Sequence, residues 1–174
     1  MKIRESVKDD KTSIRAVHLN AFDQYEGKVV SQLAIDLLED KTARPILSLV
    51  AQQDNEVVGN IIFSSVNIEG TEGVPVYILA PLAVKKDNQR KGIGTKLIDQ
   101  GLESLSKRNA EIVLVYGDPN YYTRTGFTTE HNLKAPYQLQ YPEAWMAQGL
   151  VADVLARVQG VVRCASSLSS QDYW

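Results

Sequence analysis

Apolar and polar positions change their rhythm several times along this chain. Ile3 to Val7 reads as a short opening strand. Between Thr12 and Phe22, the residues Ile14, Val17, Ala21 and Phe22 recur at helical spacing, and Asp9 and Asp10 stand where a cap belongs. A second stripe, Val29, Val30, Leu33, Leu37 and Leu38, predicts a helix over Glu26 to Glu39. The rhythm then becomes that of strands, at Ile46 to Gln52 and Val57 to Asn67, with the turn residues Gln53 to Glu56 between them. Gly70 and Gly73 precede an apolar run at Val74 to Val84, so these segments predict an antiparallel meander. Polar residues Lys85 to Lys91 interrupt it. After Gly92 and Gly94 a helix is expected to about Lys107, burying Ile93, Leu97, Ile98, Leu102 and Leu105. Ile112 to Tyr116 is a β-branched run suited to an inner strand. Strand, glycine loop, helix and strand in that order predict a right-handed crossover between parallel neighbours. The C-terminal third is less regular. Phe127 to Tyr137 and Trp145 to Val154 are compatible with a closing hairpin, and Val151 to Val158 with a helix instead. The small polar run Ser166 to Gln171 predicts a frayed tail over 166–174, after a single domain over 1–165.

Composition narrows the function classes. The 174 residues suit one domain, and 44% hydrophobic with 23% charged residues is ordinary for a globular protein. A net charge of -2 gives no bulk attraction to nucleic acid or to acidic membranes. One cysteine, Cys164, allows no intrachain disulfide, and two histidines leave little for a zinc site, so no metal is expected. The charged opening Met1 to Glu5 lacks a secretory apolar core, and the run Pro75 to Val84 is far short of the ~20 residues of a membrane span. A cytoplasmic protein without a membrane partner is the expectation.

The strongest chemical signal is Gln89-Arg90-Lys91-Gly92-Ile93-Gly94-Thr95. Two glycines allow close approach of the backbone to a ligand. Successive amides at a helix start form a concave anion site, aided by the helix dipole. Arg90 and Lys91 add positive charge, so a pyrophosphate suits the loop. A Walker loop is excluded by the order Gly94-Thr95-Lys96, and a dinucleotide fingerprint by the missing third glycine. Alone, the loop also reads as a tight turn into a helix.

A second motif adds specificity. Leu82-Ala83-Val84 followed by Gln89 to Thr95 resembles the acetyl-CoA signature of the GNAT superfamily. Tyr121-Tyr122-Thr123-Arg124-Thr125-Gly126-Phe127 is similar to that superfamily's second signature, a Tyr four residues before Gly-Phe. Gly117-Asp118-Pro119 before two tyrosines resembles a bacterial branch of these proteins. The resemblance implies an α/β fold of mixed (α+β) character. Its central sheet would have about six to seven strands, flanked by helices on both faces, with two splayed central parallel strands. It implies acetyl-CoA as co-substrate, with Leu82, Ala83 and Val84 beside the pantetheine arm and the amides of Arg90, Lys91, Gly92, Ile93, Gly94 and Thr95 on the pyrophosphate, after Gln89.

The same resemblance implies that the Leu82 amide faces the thioester oxygen, where a fixed N–H would stabilise the oxyanion of a tetrahedral intermediate. Tyr122 matches the general acid, and a phenol stays protonated near neutral pH. Tyr121 beside it reads as packing. Arg124 is a candidate for the coenzyme phosphates or an exposed structural residue, and Asn120 for the pantetheine or the phosphoadenosine end. Many family members carry a Glu base on the central strand, whereas Tyr77 to Leu82 here contains no carboxylate. Glu26 is the candidate in its place, although a first-turn acid also simply favours the helix dipole. Asp118 is a second candidate, and His18 reads as structural. The expected activity is N-acetylation of an amine, small-molecule or peptide, with a homodimer added by the resemblance. A catalytically silent acyl-CoA-binding or regulatory protein on the same fold, and an interaction module anchored by Tyr137, Tyr141, Trp145 and Trp174, are the alternatives.

Overall fold

A computed structural model describes residues 1–174. The order of elements is β1 (Lys2–Glu5), α1 (Lys11–Ala21), α2 (Gln24–Glu39), β2 (Ile46–Gln53), β3 (Glu56–Ile68), β4 (Thr71–Val84), α3 (Ile93–Lys107), β5 (Ile112–Tyr116), α4 (Pro119–Tyr122), β6 (Asn132–Lys134), β7 (Trp145–Gly149), α5 (Val154–Arg157) and β8 (Gln159–Arg163). Eight strands form one mixed sheet along the path β1-β2-β3-β4-β5-β7, with β8 joining the far end of β3 and β6 pairing β8. Strands β1 to β4 are antiparallel, β5 runs parallel to β4, and β7 is antiparallel to β5.

Local chemistry explains the elements. The β2–β3 turn places Asp54 at φ 50 and Asn55 at φ 64, the left-handed pair that a two-residue hairpin requires. Asp23 caps α2 by accepting the Glu26 N–H at 2.9 Å. Helix α3 buries all five residues of its predicted stripe. At roughly 1.5–3 kcal/mol per buried aliphatic side chain, these anchor the helix on the sheet. Gly101 lets it sit close, since a Cβ there would collide with the Phe63 ring. In α2 the predicted stripe is turned: Val29 is exposed, while Gly27, Ser31 and Ala34 face inward. Small residues are needed there because α1 lies so near that a Cβ on Gly27 would be 3.0 Å from the Leu19 carbonyl oxygen.

Two cores result, one on each face of the sheet. Tyr77, Leu79, Val113 and Val115 pack beneath α3, while Val76, Ile78, Ile112 and Leu114 pack beneath α1 and α2. Between them His18 is fully buried, its Nε2 2.8 Å from Asn60 Oδ1, while Asn60 Nδ2 donates to Leu49 O and Ser48 Oγ. Burial lowers the His18 pKa to about 4 despite the Asn60 contact.

The C-terminal third differs from both readings of the sequence. The expected hairpin of Phe127–Tyr137 with Trp145–Val154 does not form. Strand β7 pairs β5, only Thr128 bridges back to Ala147, and β6 pairs β8. The helix alternative survives as the single turn of α5. Both short strands depend on partners remote in sequence, which periodicity cannot reveal. Residues 166–174 do not fray. Leu168 is buried, Ser167 N–H and Oγ bond Asp40, and Trp174 stacks on Tyr116 with ring centroids 6.0 Å apart. Apolar Leu168 and Trp174 outweigh the polar run around them. No helix is long and apolar enough to cross a membrane.

Candidate active site

The site begins where two neighbouring strands part. Strands β4 and β5 are in register only from Val76–Ile112 to Leu79–Val115. Beyond Leu79, β4 continues to Val84 while β5 ends at Tyr116 and turns into α4. At the parting point, β4 carries a bulge. Phe63 opposes Leu79 and Ile61 opposes Leu82, so the extra residue lies at Ala80–Pro81. The bulge switches parity, so that Tyr77 and Leu79, and then Leu82 and Val84, all face the α3 side.

Pairing geometry places the exposed amides. Lys85 N–H donates to Val58 O at 2.9 Å, which makes Lys85–Val58 a hydrogen-bonded pair. Antiparallel alternation then makes Ala83–Asn60 another, and leaves Val84–Gly59 and Leu82–Ile61 as non-bonded positions. The N–H and C=O of Leu82 and Val84 therefore point away from β3, into the gap that β5 has left.

The glycine loop closes one end of the gap. Gln89 Nε2 donates to Val84 O at 2.9 Å and to Ala21 O at 3.4 Å, tying the loop to β4 and to the end of α1. Arg90 at φ 59 and Gly92 at φ 79 give the backbone the left-handed steps that turn successive N–H groups to one side. No protein acceptor takes the amides of Arg90 through Thr95. The first bonded amide is that of Lys96, to Gly92 O at 3.0 Å. A phosphate fits such a run of unsatisfied donors at the start of a long helix.

These parts enclose a cleft of about 760 Å³. Of the residues singled out in the sequence, Leu82, Ala83, Val84, Gln89, Arg90, Gly92, Ile93, Gly94, Thr95, Tyr122 and Arg124 line it. Lys91, Asn120 and Glu26 lie outside the lining. Lys91 Nζ folds back onto Asp87 O at 2.7 Å. Asn120 acts through its main chain, its carbonyl oxygen accepting Arg124 Nε–H at 2.8 Å. Glu26 is exposed on the first turn of α2. Sequence reasoning missed Ala21, Phe22 and Asn88 in the lining and underrated Tyr121. Helical spacing marks Ala21 and Phe22 only as core, because nothing local tells that α1 ends beside the gap.

The two tyrosines divide their roles by position. Tyr121 rests its hydroxyl over Gly94, where a Cβ would collide with it, next to the Thr95 side chain. Burial holds its phenol above the ordinary value. Tyr122 packs edge-on against Tyr121 and Phe127, with ring centroids 5.0 and 5.8 Å apart. It also packs on Gly117, where a Cβ would stand 2.5 Å from its ring. Burial, with the phenol of Tyr121 and the charge of Asp118 adding to it, pushes the Tyr122 phenol far above its usual range. Tyr122 is thus a neutral donor throughout the physiological range.

Comparison with known proteins agrees with this geometry. A family model described as an acetyltransferase (GNAT) domain matches residues 45–129. The uncharacterized N-acetyltransferase YjhQ of Escherichia coli K12 is 37% identical over 164 residues, 91% of this chain and 88% of that protein. The chain belongs to the GNAT family of N-acetyltransferases. Among GNAT structures, that of YhbS from E. coli, in complex with CoA, superposes with a TM-score of 0.88 at 29% identity, covering 98% of this chain and 92% of that one. A GNAT acetyltransferase from Brucella melitensis, in complex with acetyl-CoA, gives 0.71 at 32% identity, covering 96% and 97%. The expected mixed sheet with helices on both faces and parting parallel strands is the observed GNAT fold, with eight strands where six to seven were expected.

Proposed function

We propose that the protein binds acetyl-CoA along the gap between β4 and β5 and transfers its acetyl group to a primary amine. The observation that carries the reading is the run of unsatisfied amides from Arg90 to Thr95 at one end of a cleft whose wall holds Leu82 and Tyr122. The CoA and acetyl-CoA complexes of the two GNAT relatives support it.

Each group has a physical task. The loop amides and the α3 dipole hold the pyrophosphate, with Arg124 as a mobile cation nearby. The outward N–H and C=O groups of Leu82 and Val84 pair with the amides of the pantetheine arm. The acetyl thioester supplies an activated carbonyl. There the Leu82 N–H stabilises the charge on oxygen as the amine nitrogen adds and a tetrahedral intermediate forms. The new C–N bond forms, the C–S bond breaks, and the sulfur leaves with the electron pair. A thiol has a pKa near ~8.5. The Tyr122 phenol lies well above that, so it serves first as a hydrogen-bond donor to the leaving sulfur and gives up its proton only as negative charge builds there.

An aliphatic ammonium, with a pKa near ~10.4, must lose a proton before it attacks. Glu26, exposed beyond the Phe22 wall of the cleft, is the proposed recipient, through water. Isothermal titration with acetyl-CoA, followed by a thiol-release assay over an amine panel, tests the proposal. Saturable binding and turnover of at least one amine are expected. Binding without turnover on any amine would point to a silent acyl-CoA-binding protein, and no binding at all would overturn the reading of the loop.

A further inference from the structure

On the α1–α2 side of the sheet, directly behind the Tyr122 wall, lies a second cavity of about 470 Å³. That volume falls within the range of small-molecule sites. It is assembled from three separate stretches of chain: the end of β5 with the following Gly117-Asp118-Pro119, the segment before β7, and the C-terminal residues Asp172 to Trp174. Gly117 joins it to the reaction cleft. Its backbone lines the second cavity, and its missing side chain is the space occupied by the Tyr122 ring. Tyr116 and Trp174, which wall the cavity, belong to the same apolar cluster as Phe22, which walls the cleft.

The chemistry of this cavity has one sign. Asp118, Glu143 and Asp172 line it, no Lys, Arg or His does, and none of the three carboxylates enters an ion pair. Asp118 uses one oxygen to cap α4 through the Asn120 N–H and keeps its charge. The walls between them are aromatic: Tyr116 stacked on Trp174 at an interplanar angle of 15°, with Tyr141 beside them. Ring faces carry the negative end of the aromatic quadrupole, so they attract what the carboxylates attract. The carboxylates are not gathered closely enough to cage a metal ion. Apolar walls with separated anionic groups fit an organic cation.

We infer that this cavity receives the acceptor, and that the acceptor is a small organic amine bearing a second positive charge. The second ammonium rests among Asp118, Glu143 and Asp172 while the reacting nitrogen reaches past Gly117 toward the thioester. The inference rests on the transferase reading above for the reaction but not for binding. In the reaction, an alkylammonium and acetyl-CoA give an N-acetylamine, CoA thiol and one proton.

The test uses spermidine, a triamine, and n-butylamine, a monoamine, as probes on the full-length protein saturated with CoA. Glu143 and Asp172 are exposed and their carboxylates accept no hydrogen bond in the protein, so the double variant Glu143→Gln, Asp172→Asn spares the fold. Spermidine is expected to bind the wild type by titration and to lose about tenfold or more in affinity in the double variant, with a larger loss in Asp172→Lys. In turnover with acetyl-CoA the same factor should appear in KM, with kcat and the parameters for n-butylamine unchanged. Equal binding of spermidine to wild type and variants, or equal losses for both amines, overturns the inference. A protein that binds acetyl-CoA and acetylates nothing defeats the transferase reading, while the titration still decides what the cavity holds.

Discussion

Tyr122 and Gly94 show how much of the chemistry depends on single atoms. The Tyr122 phenol makes no hydrogen bond to the protein and is held neutral by burial, so its hydroxyl is available to the leaving sulfur. Tyr122→Phe removes one oxygen and leaves the packing against Phe127 and Gly117 in place. We expect kcat to fall about 10²-fold, the lower end for a lost proton donor, with the dissociation constant for CoA unchanged. Steady-state kinetics alongside titration separates the two quantities. Gly94 faces a different constraint. Its backbone is ordinary helix, so alanine costs nothing in conformation, but the added methyl collides with the Tyr121 hydroxyl at the mouth of the phosphate loop. Overpacking of this kind costs about 1–3 kcal/mol, so Gly94→Ala is expected to weaken CoA binding roughly tenfold. Unaltered affinity would show that Tyr121 moves aside freely.

At the scale of elements, α1 is fastened to β3 through His18 and Asn60, and this contact makes stability depend on pH. Folded His18 has its pKa lowered to about 4, whereas the unfolded chain takes up the proton near the ordinary value of 6.5. Protons thus bind preferentially to the unfolded state between those values. The contribution of neutral, buried His18 is complete above pH ~6.5, is lost as the pH falls toward ~4, and changes no further below that. Its size is on the order of 3 kcal/mol. The carboxylates Asp10 and Asp40 are held below their ordinary range by Arg4 and by Thr42 with Ser167, so their losses come at lower pH. Urea unfolding at pH 7 and pH 4.5 should show the step, and a His18→Gln variant should largely lack it.

The elements also show what a sequence can disclose. Helix α3 and strand β5 were readable because each carries its partner's demand locally: a stripe for one face, or a β-branched run for two. The bound on β6 and β8 was not readable. They are three and five residues long and exist because β8 finds β3 and β6 finds β8. The glycine loop and Tyr122 were legible as motifs, and Ala21 and Phe22 were not, since their place in the cleft comes from where α1 ends relative to β4.

Across the whole molecule, the C-terminal residues close the fold rather than trail from it. Leu168 is only 3% exposed, and Trp174 Nε1–H donates to the Leu168 carbonyl at 3.2 Å while its ring covers Tyr116. Composition alone marked this stretch as polar, and two apolar side chains decided otherwise. Leu168→Ala should cost about 2 kcal/mol, the lower end for a buried leucine, read as a reduced urea midpoint. Because the same segment brings Asp172 and Trp174 to the cavity behind Tyr122, the variant should also disturb amine affinity more than CoA affinity.

The extra residue at Ala80–Pro81 has a consequence for descent. Every side chain after it has exchanged faces relative to an unbroken strand, and the main-chain groups that face the gap are those of even-numbered positions. Loss of that one residue would invert the inheritance of the whole strand end, turning Ala83 inward where Leu82 now stands. Lineages can therefore vary the letters of this stretch while its length stays fixed, and a homologue with a gap at this point would have had to build its donor seat anew.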